Sequence, residues 1–226
     1  MQLRKLQFNC DYTHILTFKD YYRKIVYPTF SRDNTQYAID AENTQLESIR
    51  LIFPVDSYSI QVRRDGMTLI YEGELSVMKR ASVATDTFFE LYEKVKKIPE
   101  FTKAARQKIN MDFVQFHEEK EVKEYLRSNP FISHPLKDLV DFGIQMDLKE
   151  DERDFQLRFG KFSESDIARF NMSPLNSEYN QKLKGRVGLM AQVAVQENTG
   201  TISHSRMKDL IAAGETIIER YLNLNQ

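Results

Sequence analysis

The sequence predicts an α+β fold built from two pseudo-repeated units. Each unit runs strand, helix, three antiparallel strands, helix, and the helices are expected on one face of a curved, mostly antiparallel sheet. Three observations carry this. Apolar and polar residues alternate with period two in several runs of six to eleven residues. Two other runs carry apolar stripes at helical spacing between capping residues and prolines. The same order of elements occurs in both halves.

In the first half, Leu6, Phe8, Cys10 and Tyr12 alternate with Gln7, Asn9 and Asp11, which reads as a half-buried strand. Thr17 is placed to cap a helix over "FKDYYRKIVYPTF", ended by Pro28. Residues 31–45 are polar and read as a loop. "ESIRLIFP" reads as the next strand, and "YSIQVRRDGMTLIYEG" as a hairpin. Asp65-Gly66 is a preferred pair for a two-residue type I′ loop, which sets Val62 opposite Leu69 and Ile60 opposite Tyr71. A helix over "TDTFFELYEKVKKI" follows, with Thr85 as its cap and Pro99 beyond its end.

In the second half, Ile109, Met111 and Phe113 alternate with Lys108, Asn110 and Asp112. "EEKEVKEYLRSN" reads as a short helix before Pro130, and residues 140–148 alternate strictly. A turn at Asp151-Glu152 sets Leu148 opposite Phe155 and Met146 opposite Leu157. A polar stretch from Ser163 to Lys184 leads to a last strand through Val187, Leu189, Ala191, Val193 and Val195. Ser203 then caps a helix whose stripe runs from Met207 through Leu210, Ile211, Gly214, Ile217 and Ile218 to Tyr221. The units divide at residues 1–101 and 102–226. No Pro/Gly-rich linker lies between them, so tight packing of the halves is expected.

This order of motifs also resembles a sporadically distributed bacterial family of about this length with no assigned activity. The resemblance rests on "KLQF", "IVYPTF", the hairpin, "FFELYEKVKKI", "INMDFVQF", "NPFISHPL" and "DLIAAGETIIERYL". It implies the α+β fold and a bacterial source, and no chemistry.

Bulk composition narrows the function classes. In 226 residues, 32 basic side chains meet 33 acidic ones, for a net charge of -1. No global field draws the chain to a polyanion or an anionic membrane. A single cysteine excludes an intrachain disulfide and a cysteine-based zinc site. The N-terminal residues lack the apolar stretch of a signal peptide, and no run is long enough to span a bilayer. The expectation is a cytoplasmic protein without membrane partners.

No catalytic motif, metal site or cofactor is expected. His14, His117, His134 and His204 form neither paired His-x-Thr/Ser motifs nor a metal-binding helix pattern. Cys10 falls on the buried face of its strand, where a thiol is inert. "KGRVG" precedes a strand, not the helix N-terminus that holds phosphate.

Binding candidates remain. Arg63, Arg64, Lys79 and Arg80 form a local basic group. Arg50, Ile52, Gln61, Ile70, Val114, Phe116 and Met190 mix polar and apolar character on the second sheet face. Two readings follow. One is a non-catalytic interaction or scaffold protein that binds a protein partner, or a second copy of itself, through the sheet face or an edge. The other is an accessory factor that binds or processes nucleic acid through the basic group.

Overall fold

The computed structural model describes residues 2–17, 21–22, 24–26, 28, 35–42, 44–128, 143–163, 186–198 and 201–222. Nine strands form one sheet: β1 (Gln2–Tyr12), β2 (Gln36–Asp40), β3 (Ser48–Phe53), β4 (Tyr58–Arg63), β5 (Gly66–Tyr71), β6 (Ala104–His117), β7 (Gly143–Glu150), β8 (Arg153–Phe162) and β9 (Val187–Glu197). Four helices are fully described: α1 (Leu75–Met78), α2 (Val83–Val95), α3 (Glu119–Ser128) and α4 (His204–Leu222). The backbone is also helical at residues 21–22, 24–26 and 28.

The strand order is β2-β3-β4-β5-β1-β6-β9-β8-β7, and every neighbouring pair is antiparallel. The first strands of the two halves, β1 and β6, pair with each other at the centre. Each strand places alternate residues on one buried face. Leu6, Phe8 and Cys10 on β1 meet Leu69 and Met67 on β5, and Ile109 and Met111 on β6. Val193 and Val195 on β9 and Phe155 and Leu157 on β8 extend the same surface. One contiguous apolar cluster draws on both halves.

Helices cover that face. The helix α2 packs on β4 and β5, α4 on β6, β8 and β9, and α3 on β9. In α4 the stripe from Met207 to Ile218 is buried as expected, and Ser203 Oγ accepts the Arg206 N–H at 3.2 Å as its cap. Gly214 lets α4 approach closely. A Cβ there would lie 2.4 Å from Met111 Cε and 3.3 Å from Val193 Cγ1. Glu100 ties the segment after α2 to the start of the chain. It accepts the Thr17 N–H at 3.1 Å and the Thr17 hydroxyl at 3.0 Å, and these bonds hold its carboxyl below the usual range.

Three local expectations are corrected. Residues 36–40 form β2 within the stretch read as loop. Only β3 pairs with this strand, and its Tyr37 is 61% exposed, so it carries no core pattern. The cap of α2 is Ser82, not Thr85. Ser82 Oγ accepts the Thr85 N–H and Thr85 Oγ1 accepts the Ser82 N–H, a reciprocal capping box. The β4–β5 hairpin also turns one residue earlier than the Asp-Gly pair suggests. Arg63 faces Gly66, Val62 faces Met67 and Ile60 faces Leu69, which leaves Arg64-Asp65 as the loop.

The reason for that last shift is long-range. Among the described residues the only glycine at positive φ is Gly73, so Gly66 serves no left-handed turn. Its missing side chain makes room for β1: a Cβ at Gly66 would lie 2.8 Å from the Cys10 carbonyl oxygen and 3.1 Å from Asp11 Oδ1. The tip is fixed further by the Tyr12 hydroxyl, which donates to the Arg63 carbonyl at 2.8 Å. The second hairpin follows the expected register, with Leu148 opposite Phe155 and Met146 opposite Leu157. Asp151 takes φ 53° at its turn. The predicted loop over 163–184 and the strand positions before Gly143 lie outside the described residues, Ser163 apart.

Two predictions follow from this packing. Ile217 is buried to 1% exposure, and Ile217→Asp is expected to lower unfolding free energy by about 3 kcal/mol or more, because a lone carboxylate enters the core. Urea unfolding checks this. Gly66→Asn, tolerated in a left-handed turn, is expected here to cost about 1–3 kcal/mol by overpacking against the β1 backbone. A melting temperature equal to the wild type would sink that account.

Candidate functional site

The second face of the sheet is where function is to be sought, because among the described residues no helix packs on it. The registers assemble the outward residues into cross-strand rows. One row runs Arg50, Gln61, Thr68, Asn9, Lys108, Gln196, Asp154, Lys149, from β3 to β7. A second runs Lys5, Asp112, Gln192, Arg158, Gln145. Amides and charges dominate both. They are knitted laterally: Thr68 Oγ1 donates to Asn9 Oδ1 at 2.9 Å, Gln61 Nε2 to Ser48 Oγ at 2.8 Å, and Gln156 Nε2 to Asp147 Oδ1 at 2.9 Å.

The two sides of this face differ in charge. Toward β2 the cations are neutralised in place. Arg50 lies 2.7 Å from Asp40, and Arg63 and Arg106 lie 3.5 Å and 2.5 Å from the two oxygens of Asp11. Toward β8, no ion pair joins Lys108 or Arg158 to a described residue. These two side chains flank a depression of about 270 Å³ over β1, β6, β9 and β8, whose lining includes Gln7, Asn110, Gln156 and Gln192.

Asp112 lies in the lining of that depression. It is 9% exposed, and Gln192 Nε2 donates to its Oδ1 at 2.9 Å. Burial raises its carboxyl to about 6, against the opposing pull of the Gln192 hydrogen bond and the nearby Lys5 and Arg4 charges. The folded protein therefore binds this proton more tightly than the unfolded chain does. The resulting stability is fully present below the ordinary aspartate range and is lost as pH rises through about 6.

The residues singled out from sequence are dispersed. Arg63 and Arg64 sit at the β4–β5 tip, where Arg63 Nε lies 3.2 Å from Asp65 and Arg64 donates to the Thr44 carbonyl at 3.3 Å. Lys79 and Arg80 follow the other end of β5. Lys79 pairs with Glu215 of α4 at 2.6 Å and Arg80 Nε donates to the Ser76 carbonyl at 3.3 Å. Arg63 and Arg64 lie at the turn before β5, whereas Lys79 and Arg80 come after its far end and beyond α1, with Lys79 tied to α4. They do not converge. Met190 is buried at 3% exposure with Val114 and Phe162 in a small cluster on the second face, so it is a packing residue. Phe116 joins that cluster, its ring 6.3 Å from Phe162 and its face 5.3 Å from the Arg186 guanidinium.

Nothing in the described residues assembles a reaction centre. No group of three metal-ligating side chains converges among them. His117 lies 3.4 Å from Glu121 on the next turn of chain. His204 is lowered by burial beside Lys208, and its ring packs 5.8 Å from Phe89. His134 lies outside the described residues. Burial pushes the Cys10 thiol up to about 12, which suppresses the thiolate that nucleophilic chemistry needs. No described helix is long and apolar enough to cross a membrane. A scan against protein-family models finds no match for the chain, and a search of curated proteins finds no significant match.

Asp112, Lys108, Arg158 and the amides around them escape a sequence reading. Each is an ordinary polar alternate of its strand, and only the register brings them together. The test of the buried acid is thermodynamic. Between about pH 7.5 and about pH 5, Asp112 is expected to add about 1.3 kcal/mol of stability. Asp112→Asn is expected to remove that increment, measured as the difference in urea unfolding free energy between the two pH values. An increment identical in both proteins would overturn the assignment.

Proposed function

We propose that this chain is a non-catalytic interaction protein whose open sheet face docks an acidic segment of a protein partner. The observation that carries this is the polar face on which no described helix packs, with cations at Lys108 and Arg158 beside a depression of about 270 Å³. Antiparallel sheets commonly leave one face to water. Here that face also carries rows of amides, and side-chain amides donate and accept alike. Such a surface suits a polypeptide backbone, which carries both groups at every residue.

The nucleic-acid reading draws on Arg63, Arg64, Lys79 and Arg80. Those four side chains are held by intramolecular partners at two distant places. They supply no continuous basic track, so the protein partner is favoured. The order β3-β4-β5-β1 in one half and β7-β8-β9-β6 in the other supports reading the chain as two pseudo-repeated units, 1–101 and 102–226, on one curved sheet. Our reading also takes the chain, on the motif resemblance described above, as a relative of the sporadic bacterial family of unassigned activity and as a cytoplasmic protein. Self-association through an edge strand remains compatible with this reading.

Site-specific photo-crosslinking tests the docking face. A photoreactive side chain is introduced at Gln61 on the open face, and separately at the exposed Glu93 on α2. The expected outcome in cells is a protein adduct from position 61 and none from position 93. Equal trapping at both positions, a nucleic-acid adduct at 61, or no adduct at 61 would each reject the reading.

A further inference from the structure

The depression over β1, β6, β9 and β8 has chemistry more specific than the face around it. We infer that it is a binding site for an extended acidic peptide, with Lys108 and Arg158 holding two side-chain carboxylates and the floor holding the backbone between them. This rests on the docking reading above and gives that reading a location and a ligand class.

Charge locates the site. Elsewhere on the face each arginine near a carboxylate is already neutralised, as with Arg50 on Asp40 and Arg106 on Asp11. Lys108 and Arg158 have no such partner among the described residues, so an incoming carboxylate displaces no described ion pair. They also have complementary habits. A guanidinium takes a carboxylate in a planar fork, and an ammonium takes one as a point charge.

Geometry sets the length. Arg158 lies in the row of Asp112, two strands across from β6, and Lys108 lies four residues along β6 from Asp112. Strand spacing and rise put their Cα atoms roughly 16 Å apart, a span that an extended chain covers in about five residues. A free amino acid cannot reach both cations, whereas a segment of about six residues can.

The floor selects peptide over polynucleotide. Gln7, Asn110, Gln156 and Gln192 supply both donors and acceptors. Gln192 occupies one oxygen of Asp112, and this carboxylate suits backbone N–H groups of a ligand. A phosphodiester chain offers no donors on its backbone phosphates, so it has none to give this carboxylate. Among the described residues no aromatic ring lines the depression, so they offer no platform for the base stacking that single-stranded nucleic acids use.

The test uses the full chain and a fluorescently labelled octaglutamate peptide, followed by anisotropy at low and moderate salt. Wild-type protein is expected to bind it, with affinity falling as salt rises. The reversal Lys108→Glu with Arg158→Glu is expected to weaken binding at least tenfold, while Arg50→Glu, on a neutralised arginine outside the depression, leaves it within twofold. If the double reversal lowers the melting temperature, Lys108→Gln with Arg158→Gln replaces it, with the same expected loss. Free glutamate and an oligothymidylate of eight nucleotides are expected not to compete. No peptide binding, binding indifferent to the double variant, or tighter binding of the oligonucleotide would overturn the inference. Crosslinking separates the two levels. A partner still trapped at position 61 by the double variant keeps the docking reading and removes this site. Peptide binding without any trapped partner does the opposite.

Discussion

The antiparallel pairing of β1 with β6 is the constraint on which the rest of the molecule depends. It joins residues about a hundred positions apart into the middle of the sheet, and with it two sets of strands become one surface. Because side chains alternate with period two, this single register decides which residues of both strands are inside. A slip of one position would expose Leu6, Phe8, Ile109 and Met111 and bury Gln7, Asn9, Lys108 and Asn110. The apolar set is anchored against helices from both halves, α2 on one side and α4 on the other. The polar set opposite is therefore held as firmly as the core, although nothing described packs against it. A polar face on which no described helix packs is the direct product of that pairing.

Much of this architecture was legible in the sequence, and the failures have physical causes. The stripe of α4, the alternation of β6 and the register at Asp151-Glu152 were readable because local pattern and tertiary outcome agree there. The Arg64-Asp65 turn was misread because the Asp-Gly preference is local, whereas the need for Gly66 comes from the Cys10 carbonyl on a neighbouring strand. Ser82 and Thr85 share one reciprocal cap, so either residue fits the pattern. Residues 36–40 lacked a signal because an edge strand buries little. The depression was the least legible part. Lys108, Asp112, Gln192 and Arg158 come from three strands whose registers are set by pairings across long stretches of chain, and no local rule joins them.

The same topology has a consequence for how the chain assembles. β2 to β5 form a meander of near neighbours, and β7 with β8 is a tight hairpin. Both can close quickly, since short loops cost little entropy. β1 precedes all of them but pairs only with β5 and β6. During synthesis one of its edges can close on β5 once residues near 71 have followed, but the other must wait until residues near 114 have. Its length of 11 residues makes that wait hazardous, because an unpaired apolar strand is a template for association with other chains. The charges it carries, Arg4 and Lys5 near its start and Asp11 near its end, oppose stacking of like strands during that interval. The pairing of β1 with β6 closes over the longest stretch of chain of any described strand pair, which makes it the costliest of them in loop-closure entropy.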